Sequence, residues 1–300
     1  FREQSPQSYQ KLPTEIVGFI MLSYEFMQRA LIAAVIVGMI SPLIGVFLVQ
    51  RRLALLGDGM GHVAIAGVGL AFLTGTEPVI TALFVSILGA LILELVRHKS
   101  RSAGDLALAL IFYGGIAGGV LLTSIAGGKA STALNQYLFG SLSTVSTQDF
   151  VALGAAAVVL VVILLRYGNQ IFAMSLDGET ARVQGIRVTA MSVLLTSMAA
   201  VTVVVGMRTV GLLLVSAIMI VPVAAAQQLT HSFKTTGLLA SAIGMLSATG
   251  GLTISFYVDV PPGPTIVLLA LAIFVVLALT TNSLHLRHRN EIQEQAPHQH

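Results

Sequence analysis

Two side chains that bind transition metals stand four residues apart inside an apolar run. The run is LALLGDGMGHVAIAGVGLAFL, residues 53–73, and the two side chains are Asp58 and His62. Residues four apart lie on one face of a helix, one turn from each other. A carboxylate and an imidazole on adjacent turns can share one divalent cation, because each is a good ligand for Zn²⁺ or Mn²⁺. The pair predicts part of a metal site, whose other ligands must come from a neighbouring helix, a second subunit or water.

The position of the pair inside a predicted span carries a cost in free energy. An ionisable side chain at the centre of a spanning helix costs about 2.5 to 3.5 kcal/mol on insertion scales. If Arg52 marks the membrane interface, Asp58 lies roughly 9 Å and His62 roughly 15 Å into a core about 30 Å thick. Glycines at 57, 59 and 61 leave this turn without bulky cover. We therefore expect that a neighbouring helix, or the same helix of a second subunit, can approach it closely.

Three functions fit this pair. It can bind metal in a transport pathway, relay protons in a secondary transporter, or hydrogen-bond as packing glue in a membrane scaffold. The chain has no GxxxxGK[ST] phosphate loop, no HExxH motif and no Ser/His/Asp arrangement, so we do not expect an enzyme, and an ATP-driven role requires a separate ATPase. It has no cysteine, which excludes disulfides and thiolate metal sites.

The composition predicts a polytopic membrane protein. Hydrophobic residues make up 55% of the 300 positions and charged residues 10%, against about 25% in soluble domains. Lysine and arginine number 16 against 13 acidic residues, an excess too small to indicate a nucleic-acid partner. Because a span needs about 20 apolar residues, we predict an all-α transmembrane helical bundle of about eight or nine spans, at 29–50, 54–73, 79–97, 105–126, 149–166, 189–207, 210–229, 235–257 and 264–283.

The loop charges predict the orientation of the bundle. Basic residues gather in the loops near 51, 97–101, 166–187, 231–234 and 287–289, while the alternate loops hold only Lys129 and Arg208. The positive-inside rule puts the first set in the cytoplasm. Residues 1–24 are then an extracytoplasmic tail or interfacial helix, residues 25–283 the transmembrane domain, and residues 284–300 a disordered cytoplasmic tail. We expect a multi-pass protein of a plasma or inner membrane, with its N-terminus outside.

One cytoplasmic loop has the signals of a short helix. It reads FAMSLDGETARVQGIRV, residues 172–188. Ser175 or Asp177 can cap the helix, Glu179 falls in its first turn and Gly185 can end it. A short polar helix between two spans is either a plain linker or a docking element for a cytoplasmic partner.

Three stretches of the chain resemble one transporter family. GVFLVQRRLALLGDGMGHVAIAGVGLAFL, SLDGETARVQGI and DVPPGPTIVLLA are similar to the membrane permease subunits of ABC importers for zinc, manganese or iron(II), and the resemblance runs from about Tyr24 to Asn282. It implies a type II importer fold, a permease homodimer around a central pathway, two cytoplasmic ATPase subunits and an extracytoplasmic metal-binding protein. The transported ion would be Zn²⁺ or Mn²⁺, with no permanently bound cofactor. The imidazole ligand and the histidine-bearing tail favour zinc.

The resemblance also implies roles for single residues. Asp58 and His62 match the Asp-x-x-x-His pair proposed to bind metal in the pathway. The coupling helix that docks on the ATPase is matched by the loop of Ser175, Asp177, Glu179 and Gly185. A structural role is implied for Gly57, Gly61, Asp259, Pro261, Pro262 and Gly263. Gly61 departs from the family pattern, which often has alanine or a small hydroxyl residue there; we expect this to loosen the turn without altering the ligands.

Overall fold

The computed structural model describes residues 25–99, 104–140, 147–230 and 232–295, and these contain helices and no strand. Eight of the described helices are long and apolar enough to cross a membrane: α1 (Glu25–Gln50), α2 (Leu56–Thr74), α3 (Pro78–Lys99), α4 (Gly104–Ala126), α6 (Thr147–Leu176), α8 (Val188–Val210), α10 (Phe233–Val258) and α11 (Pro262–Gln295). Three are shorter: α5 (Lys129–Phe139), α7 (Gly178–Val183) and α9 (Leu212–Gln227). The predicted all-α bundle of eight or nine spans is confirmed.

The seventh predicted span, 210–229, is a shorter helix than the sequence suggested. Its helix, α9, has 16 residues, which rise about 24 Å and fall short of a core about 30 Å thick. Gly211 alone separates α9 from α8, with φ 92° and ψ 150°, a conformation that glycine adopts without strain. Arg208 in the last turn of α8 and Gly211 directly after that helix are the sequence signals of the break.

The last helix passes the boundary predicted for the disordered tail. It remains helical to Gln295, although the tail was expected to begin at 284. Residues 282–295 contain no glycine or proline and several good helix formers, so nothing in them stops the helix that precedes them. The predicted extracytoplasmic tail or interfacial helix, 1–24, and residues 296–300 lie outside the described residues.

Four of the long helices form the inside of the bundle. In their most apolar stretches, half or more of the residues of α1, α2, α8 and α10 are buried, whereas in α3, α4, α6 and α11 the buried share is 28% or less. Small residues allow this packing: a Cβ added at Gly38 of α1 would lie 2.7 Å from the carbonyl oxygen of Gly244 on α10. Backbones in direct contact are typical of helix association in lipid. The bundle therefore encloses α2, the helix of Asp58 and His62.

Side-chain contacts at the two ends of the bundle agree with the predicted alternation of loops. At one end, Arg51 donates to the hydroxyl of Ser192, so the α1–α2 turn meets the start of α8. At the other end, Arg208 pairs with Glu77 and Asp149. Loops that were predicted to lie on the same side of the membrane are therefore found at the same end of the bundle. Which side is the cytoplasm stays a prediction.

Candidate metal site

Asp58 lies in the first turn of α2, directly after a tight reversal of the chain. In the reversal Arg52 has φ 58°, and the N–H of Leu53 donates to the carbonyl of Leu48 at 2.8 Å. The helix begins without a side-chain cap, and Asp58 is the acidic residue of its first turn. The helix dipole favours a negative charge there by about 0.3 to 1 kcal/mol. Asp58 therefore stands at the end of the helix where an acidic residue is favoured.

Asp58 and His62 lie close to each other without a hydrogen bond. His62 Nε2 is 3.9 Å from Asp58 Oδ1, beyond hydrogen-bond distance. The imidazole packs edge-on against the Phe112 ring of α4, with centroids 4.8 Å apart. Among the described residues, neither side chain has a hydrogen-bond partner. A direct hydrogen bond between the two, as in the packing-glue hypothesis, is not found.

The carboxylate opens into a cavity between α2 and α4. The cavity has a volume of about 430 Å³, and besides Asp58 its lining includes Arg52, Leu108, Phe112 and Tyr113. Its walls are mostly apolar. The Asp58 side chain is 31% exposed and that of His62 is 16% exposed. Asp58 is thus the more accessible ligand, and His62 lies deeper in the bundle.

One copy of the chain places two side chains of metal-binding type at this point. Within the described ranges, no group of three or more histidine, aspartate or glutamate side chains is placed to hold an ion. Zn²⁺ ordinarily takes four ligands and Mn²⁺ favours octahedral sites. A cation held by Asp58 and His62 would therefore need water or residues of another subunit to complete its coordination.

The glycines beside the pair pack against α9. A Cβ at Gly57 would lie 3.2 Å from the Sδ atom of Met219. At Gly61 a side chain would collide with that of Leu212. Both glycines are buried, so this side of the turn is filled by the chain itself. The neighbouring helix that was expected to approach this turn is α9. The approach of a second subunit stays a prediction.

The backbone at His62 is in contact with another glycine, on α4. A Cβ added at Gly115 would lie 2.8 Å from the carbonyl carbon of His62 and 2.8 Å from the nitrogen of Val63. Contacts this short between a side chain and a backbone are not tolerated without a shift of one helix. Gly115 therefore fixes the separation of α2 and α4 at the depth of the imidazole, and the sequence analysis did not single it out.

A charged cluster lies at the end of the bundle nearest the start of α2. Arg97 donates to the carboxylate of Glu94 at 3.1 Å, and Glu94 is buried. Burial lowers the pKa of the Arg51 guanidinium below its ordinary value; the charge of Arg97 acts in the same direction, and that of Glu94 opposes it. Arg51 also donates to Ser192. These contacts join α1, α3 and α8 beside the turn that leads to Asp58.

The predicted cytoplasmic helix is present as α7, and Asp177 is its N-cap. The carboxylate accepts hydrogen bonds from the N–H groups of Glu179 and Thr180, at 2.9 and 3.3 Å. The Thr180 hydroxyl, and then these two N–H groups, lower the pKa of Asp177. Ser175 does not cap: its hydroxyl donates to the Ile171 carbonyl inside α6.

The end of this helix also follows the sequence prediction. Gly185 has φ 83° one residue past the C-cap Gln184, in the left-handed conformation with which glycine commonly ends helices. Val183 in the last turn is 89% exposed. An exposed apolar side chain at the tip of a six-residue helix suits a docking element better than a plain linker.

The DxPPG segment forms the turn between α10 and α11. Asp259 is the C-cap of α10, with φ 56°. Pro261 lies in the turn, and Pro262 is the first residue of α11, a position that proline favours because no helical hydrogen bond is lost. A Cβ at Gly263 would lie 3.0 Å from the carbonyl oxygen of Phe139. These contacts suit the structural role expected of the segment.

Arg208 forms an ion-pair cluster at the opposite end of the bundle. Its Nε lies 2.7 Å from Asp149 Oδ1, and Nη1 lies 3.3 Å from Glu77 Oε1. Burial raises the pKa of the neighbouring Tyr137 hydroxyl, Arg208 lowers it, and the two acidic residues add to the rise. The three charged residues are far apart in the sequence. An arginine at the end of an otherwise apolar span was the signal for an acidic partner.

The chain is similar to metal-transport membrane proteins over most of its length. Manganese transport system membrane protein MntC of Listeria monocytogenes is 32% identical over 259 residues, covering 86% of this chain and 92% of that protein. Manganese import system permease protein ScaB of Streptococcus gordonii is 33% identical over 254 residues, covering 84% and 90%. The structure of PsaBC from Streptococcus pneumoniae in complex with Fab has a TM-score of 0.78 at 29% identity, covering 87% of this chain and 95% of that one.

A multi-span helical bundle with a polar pair on an inner helix and a capped helix between spans is compatible with a membrane permease. The ABC 3 transport family model matches residues 23–281, and the chain belongs to that family. It is therefore the multi-pass permease subunit of a metal ABC importer. The chain is not an enzyme, since ATP hydrolysis belongs to a separate subunit of such importers.

Proposed function

We propose that this permease carries a divalent transition-metal ion, with Asp58 and His62 as ligands along its path. The observation that carries the proposal is their geometry: the two side chains lie 3.9 Å apart on adjacent turns, and the carboxylate opens into a cavity. Ionisable side chains within a spanning segment are rare and by default indicate a functional site. Carboxylate and imidazole together suit Mn²⁺, Fe²⁺ and Zn²⁺.

Manganese is the ion to test first. Both relatives described above carry manganese in their names. The sequence favoured zinc because of the imidazole and the histidine-bearing tail, and no contact among the described residues adds support for zinc. A carboxylate-containing pair completed by water is compatible with the higher coordination number of Mn²⁺.

The electrostatics of the membrane explain why two ligands are enough. A bare divalent ion near the middle of the bilayer faces a very large desolvation cost. Asp58 supplies one negative charge and His62 one neutral nitrogen donor, which lower this barrier together with water. Two ligands bind an ion too weakly to trap it, and conduction requires a site that releases what it binds.

The remaining partners follow from the incomplete site and from α7. Two copies of the chain, with their Asp58 cavities facing a shared axis, would double the ligands along one pathway. Two ATPase subunits would dock on α7 and switch the pathway between its two openings. A metal-binding protein would deliver the ion at the Arg208 end, which the positive-inside rule places outside. We propose this assembly, with the N-terminus extracytoplasmic and the tail cytoplasmic.

Competitive uptake of Mn²⁺ and Zn²⁺ tests the proposal. The permease would be reconstituted with its ATPase and binding protein, and wild type would be compared with Asp58→Ala and His62→Ala. We expect ATP-dependent uptake of Mn²⁺ in wild type and its loss in both variants. Glu25→Gln is the matched control, because that carboxylate pairs with Arg29 at the start of α1, away from the cavity. Wild-type uptake in Asp58→Ala would refute the role of the pair. Uptake by the permease alone, driven by a pH gradient, would instead support a proton-coupled transporter.

A further inference from the structure

An apolar groove runs between α1, α6 and α10, apart from the Asp58 cavity. Residues 43–47, 161–165 and 233–238 contribute to its lining, and its volume is about 380 Å³. This is within the range of about 300 to 1,000 Å³ for pockets that hold small ligands. Lys234 is the one charged residue of the lining, and almost all of the remaining surface is apolar. The groove can therefore hold an apolar chain with a polar group at one place.

The groove is open rather than filled because one helix carries a glycine there. A Cβ added at Gly237 of α10 would meet Leu43 at 3.8 Å and Val46 at 4.0 Å, which are ordinary contact distances. Beside it, the rings of Phe47 and Phe233 pack edge to face with centroids 4.9 Å apart. Packed aromatic rings form a fixed wall, so the space at Gly237 is part of the fold.

The open side of the groove faces the hydrocarbon of the bilayer. Leu165 on α6 and Leu238 on α10 line the groove and are 83% and 71% exposed. Both belong to helices that are long and apolar enough to span. An apolar side chain on a spanning helix that no other described part of the chain covers is exposed to lipid. The groove is therefore accessible from the membrane.

Lys234 indicates where the polar group of the occupant lies and which charge it carries. It is the second residue of α10, so its ammonium lies at the end of a span. The side chain is exposed, and no carboxylate in the described ranges forms an ion pair with it. Lysine stems lie along apolar surface while the ammonium reaches the headgroup region. Anionic headgroups attract such a cation, whereas zwitterionic ones carry no net charge.

We infer that this groove binds one acyl chain of an anionic phospholipid, with Lys234 contacting the headgroup phosphate. The basic loops predict that the lipid belongs to the cytoplasmic leaflet.

Native mass spectrometry of the full chain, with any subunits that copurify, tests the inference. The protein would be extracted from membranes that contain phosphatidylglycerol and phosphatidylethanolamine, and bound lipid would be counted per permease. We expect one retained phosphatidylglycerol. Lys234→Gln should lower the preference for phosphatidylglycerol about fivefold, the value of one basic residue near an anionic surface. Gly237→Leu should remove the lipid by filling the groove.

Two further variants serve as a control for charge and as a second way to fill the groove. Arg166→Gln removes a positive charge from the same end of the bundle, but this side chain does not line the groove and lies over Tyr167 at 5.2 Å; retention should be unchanged. Val161→Phe fills the groove from the opposite wall and replaces Gly237→Leu if that variant does not fold. Equal retention in a folded filling variant, or an unchanged preference in Lys234→Gln, would overturn the inference.

A cysteine placed on the groove tests the competing occupant. The chain has no cysteine, so Leu238→Cys is a single-cysteine probe. Under mild oxidation we expect it to stay monomeric on a denaturing gel, because lipid covers the position. A disulfide-linked dimer would mean that a second copy of the chain sits there, and the lipid assignment would be rejected.

Discussion

The two polar clusters of the bundle differ in whether their charges are paired. At one end, Arg208 contacts Asp149 at 2.7 Å and Glu77 at 3.3 Å. On α2, Asp58 and His62 lie 3.9 Å apart and neither has a hydrogen-bond partner within the described part of the chain. The first cluster joins segments far apart in sequence. The second lies on one helix beside a cavity.

We expect the Arg208 cluster to stabilise the fold, whereas the pair on α2 is proposed to bind metal. Breaking a buried ion pair is costly because it leaves one charge without a partner. Replacing a group that has no partner removes only its own desolvation cost. The Arg208 cluster should therefore matter for stability and the α2 pair for transport.

The largest effect is expected from isosteric changes in the α2 pair. Asp58→Asn and His62→Gln keep size and hydrogen-bonding capacity but weaken metal ligation. We expect Mn²⁺ uptake to fall about 100-fold or more, since even the outer partners of metal ligands are worth about 10- to 100-fold. The thermal midpoint in detergent should stay at the wild-type value. Normal uptake in both variants would favour the packing-glue hypothesis.

The reverse result is expected at the other cluster. Arg208→Ala removes the guanidinium that lies 2.7 Å from the Asp149 carboxylate, which is 8% exposed. We expect a loss of about 3 kcal/mol in the free energy of unfolding, the lower end of the range for a broken buried pair, because Arg208 itself is 34% exposed.

A double-mutant cycle identifies the source of that loss. Adding Asp149→Asn to Arg208→Ala should recover part of the stability, because the carboxylate charge that Arg208 paired with is then also removed. Uptake per folded molecule should change little in the single variant. Additive losses would show that the pair is not coupled and would remove this side of the contrast.

A smaller effect is expected from Gly115→Ala, which moves the imidazole without changing its chemistry. The added Cβ would press on the His62 backbone, 2.8 Å away, and overpacking of this kind costs about 1 to 3 kcal/mol. Gly114→Ala is the matched control, because nothing lies within 4 Å of a Cβ there. We expect lower stability and uptake in the first variant only. Equal behaviour of the two would show that the α2–α4 contact is not tight.

The smallest effect is expected at the N-cap of α7. Asp177→Ala removes the acceptor of two N–H groups, so amide exchange of Glu179 and Thr180 should accelerate, whereas Asp177→Asn should retain most of the protection. Hydrogen bonds lower the pKa of Asp177 in the folded chain. The ionised Asp177 carboxylate therefore stabilises the helix fully above its unfolded-state pKa of about 3.9. This stabilisation is lost as the pH falls through the lower pKa of the folded chain.

The exchange profile against pH gives the check. We expect protection of α7 to be constant from neutral pH down to about pH 4 and to fall only below it. Loss of protection near neutral pH would point to a different titrating group. ATPase stimulation by the permease, measured in the same variants, shows whether the helix is the docking element.

Local signals in the sequence were enough for the α2 pair and for α7. The spacing of Asp58 and His62 fixes their relation within one helix, and Asp177 with Gly185 brackets a helix of six residues. The same is true of the spans, because about 20 apolar residues are hard to place elsewhere.

Features that depend on packing could not be predicted in this way. The pairing of Arg208 with Glu77 joins residues 131 positions apart, and no local pattern connects them. The shortness of α9 depends on one glycine at the start of an apolar run. The side of α2 that is filled by α9 could not be distinguished from the side that opens into the cavity, because glycines flank Asp58 on both sides in sequence.

The contact at Gly115 has a consequence for inherited variation. Every single-base change in a glycine codon that alters the amino acid introduces a Cβ atom or a stop signal. No missense variant one base away therefore preserves the approach of α4 to the His62 backbone. Gly114, one codon earlier, has open space and should tolerate alanine or serine. Two adjacent glycine codons of one gene are thus expected to differ sharply in the variants that a metal-limited population retains.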